Sequence, residues 1–133
     1  LAKAALYAGI QLLKDELGVS AIDRIRLAGA FGAQIDPRYA MTLGLIPDID
    51  LSAVSVAGNA AGTGARIALL NKASRLRIEA ETRSVEKIET ATRPEFQDLY
   101  VQAMSIPHAI HGFQKLRAAT DLPAPIIPRR RRV

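Results

Sequence analysis

Three groups of residues in this 133-residue chain have the types and spacing to do chemistry. The first is a pair of glycine-rich junctions. Leu27-Ala28-Gly29-Ala30-Phe31-Gly32 follows an alternating segment and runs on to Asp36-Pro37, while Ala53-Val54-Ser55-Val56-Ala57-Gly58 leads into Asn59-Ala60-Ala61-Gly62-Thr63-Gly64. Glycine after a strand removes a side chain where the backbone must turn or where a ligand comes close, and α/β folds build ligand-facing corners this way. A tight turn without any ligand uses the same residues. Gly62 and Gly64 each cost roughly 1 kcal/mol relative to alanine inside a helix, so each needs a packing or a binding reason.

The second group is His108 and His111. Three residues apart, they can share a helix face as metal ligands, but Pro107 directly precedes them and no third ligand is near in sequence, so no metal site is assigned. The third is a set of charged residues beside turns. Asp36 before Pro37 reads as the N-cap of a helix, since its oxygen accepts from free amides and proline suits the first helical position. Asp48 and Asp50 lie in a proline-flanked loop and either bind a cation or cap a helix; capping is the reading adopted. Arg38 either meets a phosphate or ribose or is a solvated helix residue. The chain contains no lysine amid phosphate-cradling glycines and no nucleophile-and-base arrangement, so no catalytic residue is assigned.

These groups need elements to position them, and the pattern supplies an α/β order. Residues 1–17 read as a helix with Leu6, Ile10, Leu13 and Leu17 on one face, ended by Gly18. Residues 24–28 alternate as a strand with Ile25 and Leu27 on its buried face. A short helix follows over 37–43, and residues 44–47 form a loop. A strand at 54–57 feeds a helical stretch that breaks near Asn71 and runs to about Arg83. Residues 86–91 alternate weakly as a strand. Thr92 and Glu95 match a capping box, and Phe96, Leu99, Tyr100, Ala103 and Met104 then share a helical face that reads as core or interface. Strands alternating with helices imply parallel pairing. There is no internal repeat.

Composition narrows the function classes. With no cysteine, the chain can neither ligate an iron-sulfur cluster through thiolates nor form a disulfide. No stretch approaches the roughly 20 apolar residues of a membrane span, and no signal peptide pattern occurs, so a soluble, cytoplasmic protein is expected. Arg129, Arg130, Arg131 and Arg132 carry four of the five net positive charges, leaving the rest nearly neutral. That disfavours a globular nucleic-acid binder, whose basic residues should spread over a folded face. Residues 119–133 are proline- and arginine-rich and are expected to be a disordered, solvated tail. A helical pattern beginning at Leu1, which is not methionine, is what a fragment of a longer chain would show.

The run IRLAGAFGAQIDPRYAMTLGLIPDIDLSAVSVAGNAAGTGARIALL, residues 25–70, resembles the C-terminal actin-like domain of the ATP-dependent reductive activators of corrinoid proteins. The likeness continues through Thr90-Ala91-Thr92-Arg93-Pro94-Glu95-Phe96-Gln97 and Ala103-Met104-Ser105-Ile106-Pro107-His108, covering about the first 110 residues. The resemblance implies one lobe, residues 1–118, of an actin-like (ribonuclease H-like) α/β fold with short, mostly parallel strands packed with helices. In that superfamily a glycine-rich turn after a strand contacts the adenosine, which carries over to Gly29, Ala30, Phe31 and Gly32. Asn59 and Gly62 follow as a second tier beside the nucleotide pocket.

The family also implies ATP and Mg²⁺ in the complete protein, with a 2Fe-2S ferredoxin domain outside this chain. A corrinoid protein of a methyltransferase system is the implied partner, reduced from cobalt(II) to cobalt(I). Phosphate-binding loops have no match here, so the chain alone is not expected to hydrolyse ATP. A homodimer through the Leu6, Ile10, Leu13 face and the Phe96 face is a further expectation. Two alternatives stay open: a small-molecule kinase lobe of the same superfamily, and a structural or dimerising module that binds no nucleotide.

Overall fold

The computed structural model describes residues 1–106 and 108–122. The element order is α1 (Ala2–Glu16), β1 (Ile25–Ala28), the single helical turn α2 (Gly29–Gly32), α3 (Pro37–Thr42), β2 (Val54–Gly58), α4 (Ala60–Leu70), α5 (Lys72–Arg83), α6 (Glu95–Met104) and α7 (Gln114–Ala119). Short 3₁₀ turns precede β2 and α6. The arginines at 129–132, and most of the predicted tail, lie outside the described residues.

β1 and β2 pair in parallel, as the strand and helix alternation predicts. Ile25 and Leu27 are partly buried while Arg26 and Ala28 are exposed, which is the expected two-residue period. Gly18 follows α1 at a φ of 63°, a left-handed conformation that glycine adopts without a Cβ penalty. Asn71 breaks the long helical stretch and caps α5, its side-chain oxygen accepting from the Ser74 amide at 3.0 Å.

The core forms where α1, α3, α6 and α7 meet the loop between α3 and β2. Ala4, Tyr7, Ala40, Met41, Ile46, Ile49, Val54, Ala103, Phe113 and Leu116 are its buried members. Ile46 and Ile49 come from the predicted loop, so a segment without regular structure fills the centre. α1 packs against α6, and Ala4 and Ala8 of α1 and Ala103 of α6 are all fully buried. Glu16 of α1 also forms an ion pair with Arg93 just before α6.

That packing turns α1 away from the apolar face read in the sequence. Its buried face is Ala4, Tyr7, Ala8 and Leu12, whereas Leu6, Leu13 and Leu17 are 53%, 46% and 64% exposed. The Phe96 face is partly covered: Ala103 is buried, Phe96, Leu99 and Tyr100 are partly so, and Met104 is exposed.

Two sequence expectations are corrected. Residues 86–91 are not a strand; among the described residues they have no ladder partner, and weak alternation cannot hold an extended segment without one. Thr92 and Glu95 do not form a capping box. Pro94 occupies the N-cap position with no side-chain cap, and the Thr92 hydroxyl donates back to the Glu89 carbonyl at 3.1 Å.

Candidate functional site

The two glycine junctions meet at one end of the sheet. Along the ladder Ile25 pairs with Val54, Arg26 with Ser55 and Leu27 with Val56, and then Ala28 pairs with Gly58 across a register shift that leaves Ala57 extra. Gly29 and Gly58 thus emerge side by side at the carboxyl ends of two parallel strands. Open α/β sheets present their ligand crevices at this end. Both glycines have positive φ, 90° and 62°, and neither has an atom within 4 Å of where a Cβ would stand. The backbone here turns sharply and is partly exposed.

The other glycines of the motif serve the fold. A Cβ on Gly32 would sit 3.1 Å from the Leu27 carbonyl carbon, so Gly32 lets the α2 turn close against the strand that precedes it. The glycine stretch is accordingly a tight helical turn and not an open loop. A Cβ on Gly62 would come 2.5 Å from the Asn59 amide nitrogen. Asn59 is fixed there because its Oδ1 accepts the Gly62 N–H at 2.9 Å and caps α4. Gly64 faces open space, and none of the described α4 residues is buried.

Gly29, Ala30, Phe31, Gly32, Asn59 and Gly62 all belong to this one corner through the Ala28 and Gly58 pairing. Ala30 and Phe31 are exposed, and Phe31 is 74% exposed. Gly58 is the member that sequence reasoning missed as an individual site residue. Its signal was its place at the end of an apolar strand, but its partner was not legible.

Nearby charged groups are mostly engaged or solvated. Asp36 accepts from the Arg38 and Tyr39 amides at 2.7 and 3.3 Å, which confirms the N-cap and occupies the acid beside the turn. Arg38 is an exposed helix residue. Asp50 accepts from the Ser52 amide and hydroxyl at 2.8 and 2.7 Å, and these bonds hold its carboxyl below the usual carboxylate range. Asp48 is also a cap, but of a remote helix: its two oxygens accept from Lys115 and Leu116 of α7, both at 2.9 Å.

His108 and His111 do come together, in a cluster well removed in sequence from the glycine junctions. Their rings stack with centroids 4.6 Å apart, and the Tyr7 hydroxyl lies 2.6 Å from His111 Nδ1. His108 Nδ1 accepts the amides of Ile110 and His111 at 3.2 and 3.1 Å, so that nitrogen is held unprotonated. Burial, reinforced by His111 and Lys3, lowers the His108 pKa to about 4. Burial and the Asp48 charge push the Tyr7 phenol up to about 12. Tyr7, His108, His111 and Phe113 form an aromatic cluster that pins residues 108–113 onto α1, and Lys3 donates to the Ser105 carbonyl at 2.7 Å. Among the described residues no three His, Cys, Asp or Glu side chains gather as a metal set.

Parallel strands joined through helices, with glycine-lined carboxyl ends meeting at one corner, define a mixed α/β unit. Residues 1–117 match the family described as the C-terminal domain of RACo, the ASKHA domain, and the chain belongs to that family. It is 43% identical over 103 residues to the corrinoid activation enzyme RamQ of Eubacterium limosum, covering 76% of this chain and 17% of that protein. The solved structure of a reductive activator for corrinoid, iron-sulfur protein superposes with a TM-score of 0.74 at 36% identity, over 80% of this chain and 17% of that one. The chain thus spans about a sixth of the length of either relative.

Proposed function

We propose that this chain is the adenosine-side lobe of an ATP-dependent activator that reduces a cobalt(II) corrinoid protein to cobalt(I). The reading rests on one observation above the others: the cross-strand pairing of Ala28 with Gly58 sets two side-chain-free, positive-φ backbones next to each other at the strand ends. That corner fits a nucleoside, because no Cβ or neighbouring atom fills the space over Gly29 or Gly58. Backbone amides and Ala30 would lie against the ligand, while Gly32 and the Asn59 cap hold the two turns in place.

The chain's residues do not fit the other cofactors of such a system. A 2Fe-2S cluster needs thiolates, and there is no cysteine in the 133 residues. Mg²⁺ prefers carboxylate oxygens, yet the acid beside the turn, Asp36, is committed to capping α3. The cluster, the Mg²⁺ ligands and the phosphate loops therefore belong to other parts of the activator. The role of this lobe is to bind and orient the nucleoside, so that closure around ATP shifts the protein between two conformations of different reducing competence. The names of the relatives support a corrinoid protein as partner; the further reading of a methyltransferase system in the cytoplasm rests on the sequence resemblance. No described helix is long and apolar enough to cross a membrane.

Calorimetric titration of Mg-ATP into the full-length protein tests this. Ala30→Glu adds a carboxylate at an exposed position of the corner without touching the core. Affinity should fall at least about tenfold while the melting temperature stays unchanged, equivalent to about 1.4 kcal/mol. Equal binding by both proteins would move the nucleotide elsewhere.

A further inference from the structure

We propose that a cleft between α1, the loop before β2 and the turn into α7 binds the phosphate group of a small phosphorylated molecule, held by Lys14 and Lys115 with His111 as a third donor. The cleft has a volume of about 350 Å³, and Tyr7, Asp48 and Phe113 line it together with those three residues. That volume falls at the lower end of the range of small-molecule sites, roughly 300–1,000 Å³. None of its lining residues belongs to either glycine junction, so the inference stands apart from the nucleotide reading.

The floor of the cleft is rigid. Tyr7 and Phe113 are buried with ring centroids 6.1 Å apart, and Pro47 beside them is buried too. Phe113 takes a left-handed backbone, φ 49° and ψ 56°, alone among the described non-glycine residues. A bulky L-residue adopts that conformation at a cost, and strain of this kind gathers at ligand clamps. The buried ring holds it on one side, and on the other Asp48 anchors the amides of Lys115 and Leu116.

The polar groups of the cleft divide by charge. Asp48 is its acid, and both carboxylate oxygens already accept backbone amides. Lys14 and Lys115 have no ion-pair partner among the described residues, although Asp50 is near enough for Lys115 to feel its charge. Burial keeps the Tyr7 phenol protonated, 2.6 Å from His111 Nδ1; when it donates to that nitrogen, the neutral imidazole keeps its own proton on Nε2. Two ammonium groups and an imidazole N–H, with no guanidinium in the described lining, suit a tetrahedral dianion met as point charges. A planar carboxylate is matched better by the fork of an arginine.

The experiment titrates inorganic phosphate, and succinate as a dicarboxylate of similar charge, into the full-length protein by calorimetry, after its nucleotide site has been saturated with a non-hydrolysable Mg-ATP analogue. Phosphate affinity should fall about 10- to 100-fold in Lys14→Gln and in Lys115→Gln, and further in the double variant. Lys72→Gln, on the exposed helix α5, should keep wild-type affinity. Melting temperatures should be equal throughout, since neither cleft lysine holds an ion pair. Absence of phosphate binding by the wild type, or equal affinity in the wild type and the double variant, would overturn the inference. Tighter binding of succinate than of phosphate would overturn the choice of ligand. A protein that ignores the ATP analogue yet shows the lysine dependence would support this site while removing the nucleotide reading.

Discussion

Ala28 and Gly58 are ladder partners, and the register shift that pairs them skips Ala57. This extra residue in β2 aligns the two strand ends and delivers Gly58 opposite the residue that leads into Gly29. Without the shift, Ala28 would face Ala57 and the second glycine would lie one position further along. Because Gly58 has a φ of 62°, Gly58→Ala should destabilise the chain by about 1 kcal/mol even though the space around it is empty. A urea denaturation midpoint checks this; a midpoint equal to wild type would mean that the turn relaxes freely.

Asn59 and Gly62 form a coupled pair. Losing the cap in Asn59→Ala should cost about 1 kcal/mol. Gly62→Ala should cost a similar amount, because its new methyl group displaces the capping amide. In the Asn59→Ala background the amide is gone, and Gly62→Ala should become neutral or stabilising through helix propensity. A double-mutant cycle by thermal denaturation reads the coupling, and simple additivity of the two losses would refute it.

Asp48 ties the loop before β2 to α7, accepting two amides 67 and 68 residues away in sequence. Asp48→Ala leaves those amides without their partners and should loosen α7, uncovering Leu116. About 1 to 3 kcal/mol of stability should be lost. Hydrogen exchange at Lys115 and Leu116 should rise well before that of α1 and α6; unchanged protection there would show that α7 is held by other contacts.

The pH dependence follows from His108. Its pKa falls from 6.5 to about 4 on folding, chiefly through burial, with His111 and Lys3 adding repulsion. Between those values the unfolded chain binds more protons than the folded one, so stability rises with pH across the window and is lost as pH falls from 6.5 towards 4. Groups facing the ring are Tyr7, Lys3 and His111. His108→Asn keeps an oxygen that can accept the Ile110 and His111 amides but does not titrate. Its denaturation midpoint should depend less on pH from 6.5 to 4, and an unchanged slope would assign the effect to another group.

The elements and their boundaries were largely legible because the signals are local. Asp36 before Pro37, Asn71 at the helix break, Gly18 after α1 and the Ile25 and Leu27 alternation each act within a few residues. The glycine junctions were legible as motifs, and their likeness to corrinoid activators agrees with the family to which residues 1–117 belong. Signals that require a partner were read less well. Alternation at 86–91 had no second strand to pair with among the described residues, and Thr92 bonded back to Glu89 in place of the amides ahead of it.

Hydrophobic spacing also left the orientation of α1 undecided, since both of its faces are apolar. Packing against α6 buried the face with Ala4, Tyr7, Ala8 and Leu12 and left Leu6, Leu13 and Leu17 outside, a choice that depends on the neighbouring helix and not on α1 alone. Sequence by itself determined the α/β order, the caps, the flexible glycine positions and the absence of thiolate ligands, all properties of residue type and near neighbours. Tertiary structure alone decided that Gly58 meets Ala28, that Gly32 seals against Leu27 and that Asp48 reaches α7. Those depend on register and packing between segments distant in the chain, which no local preference encodes.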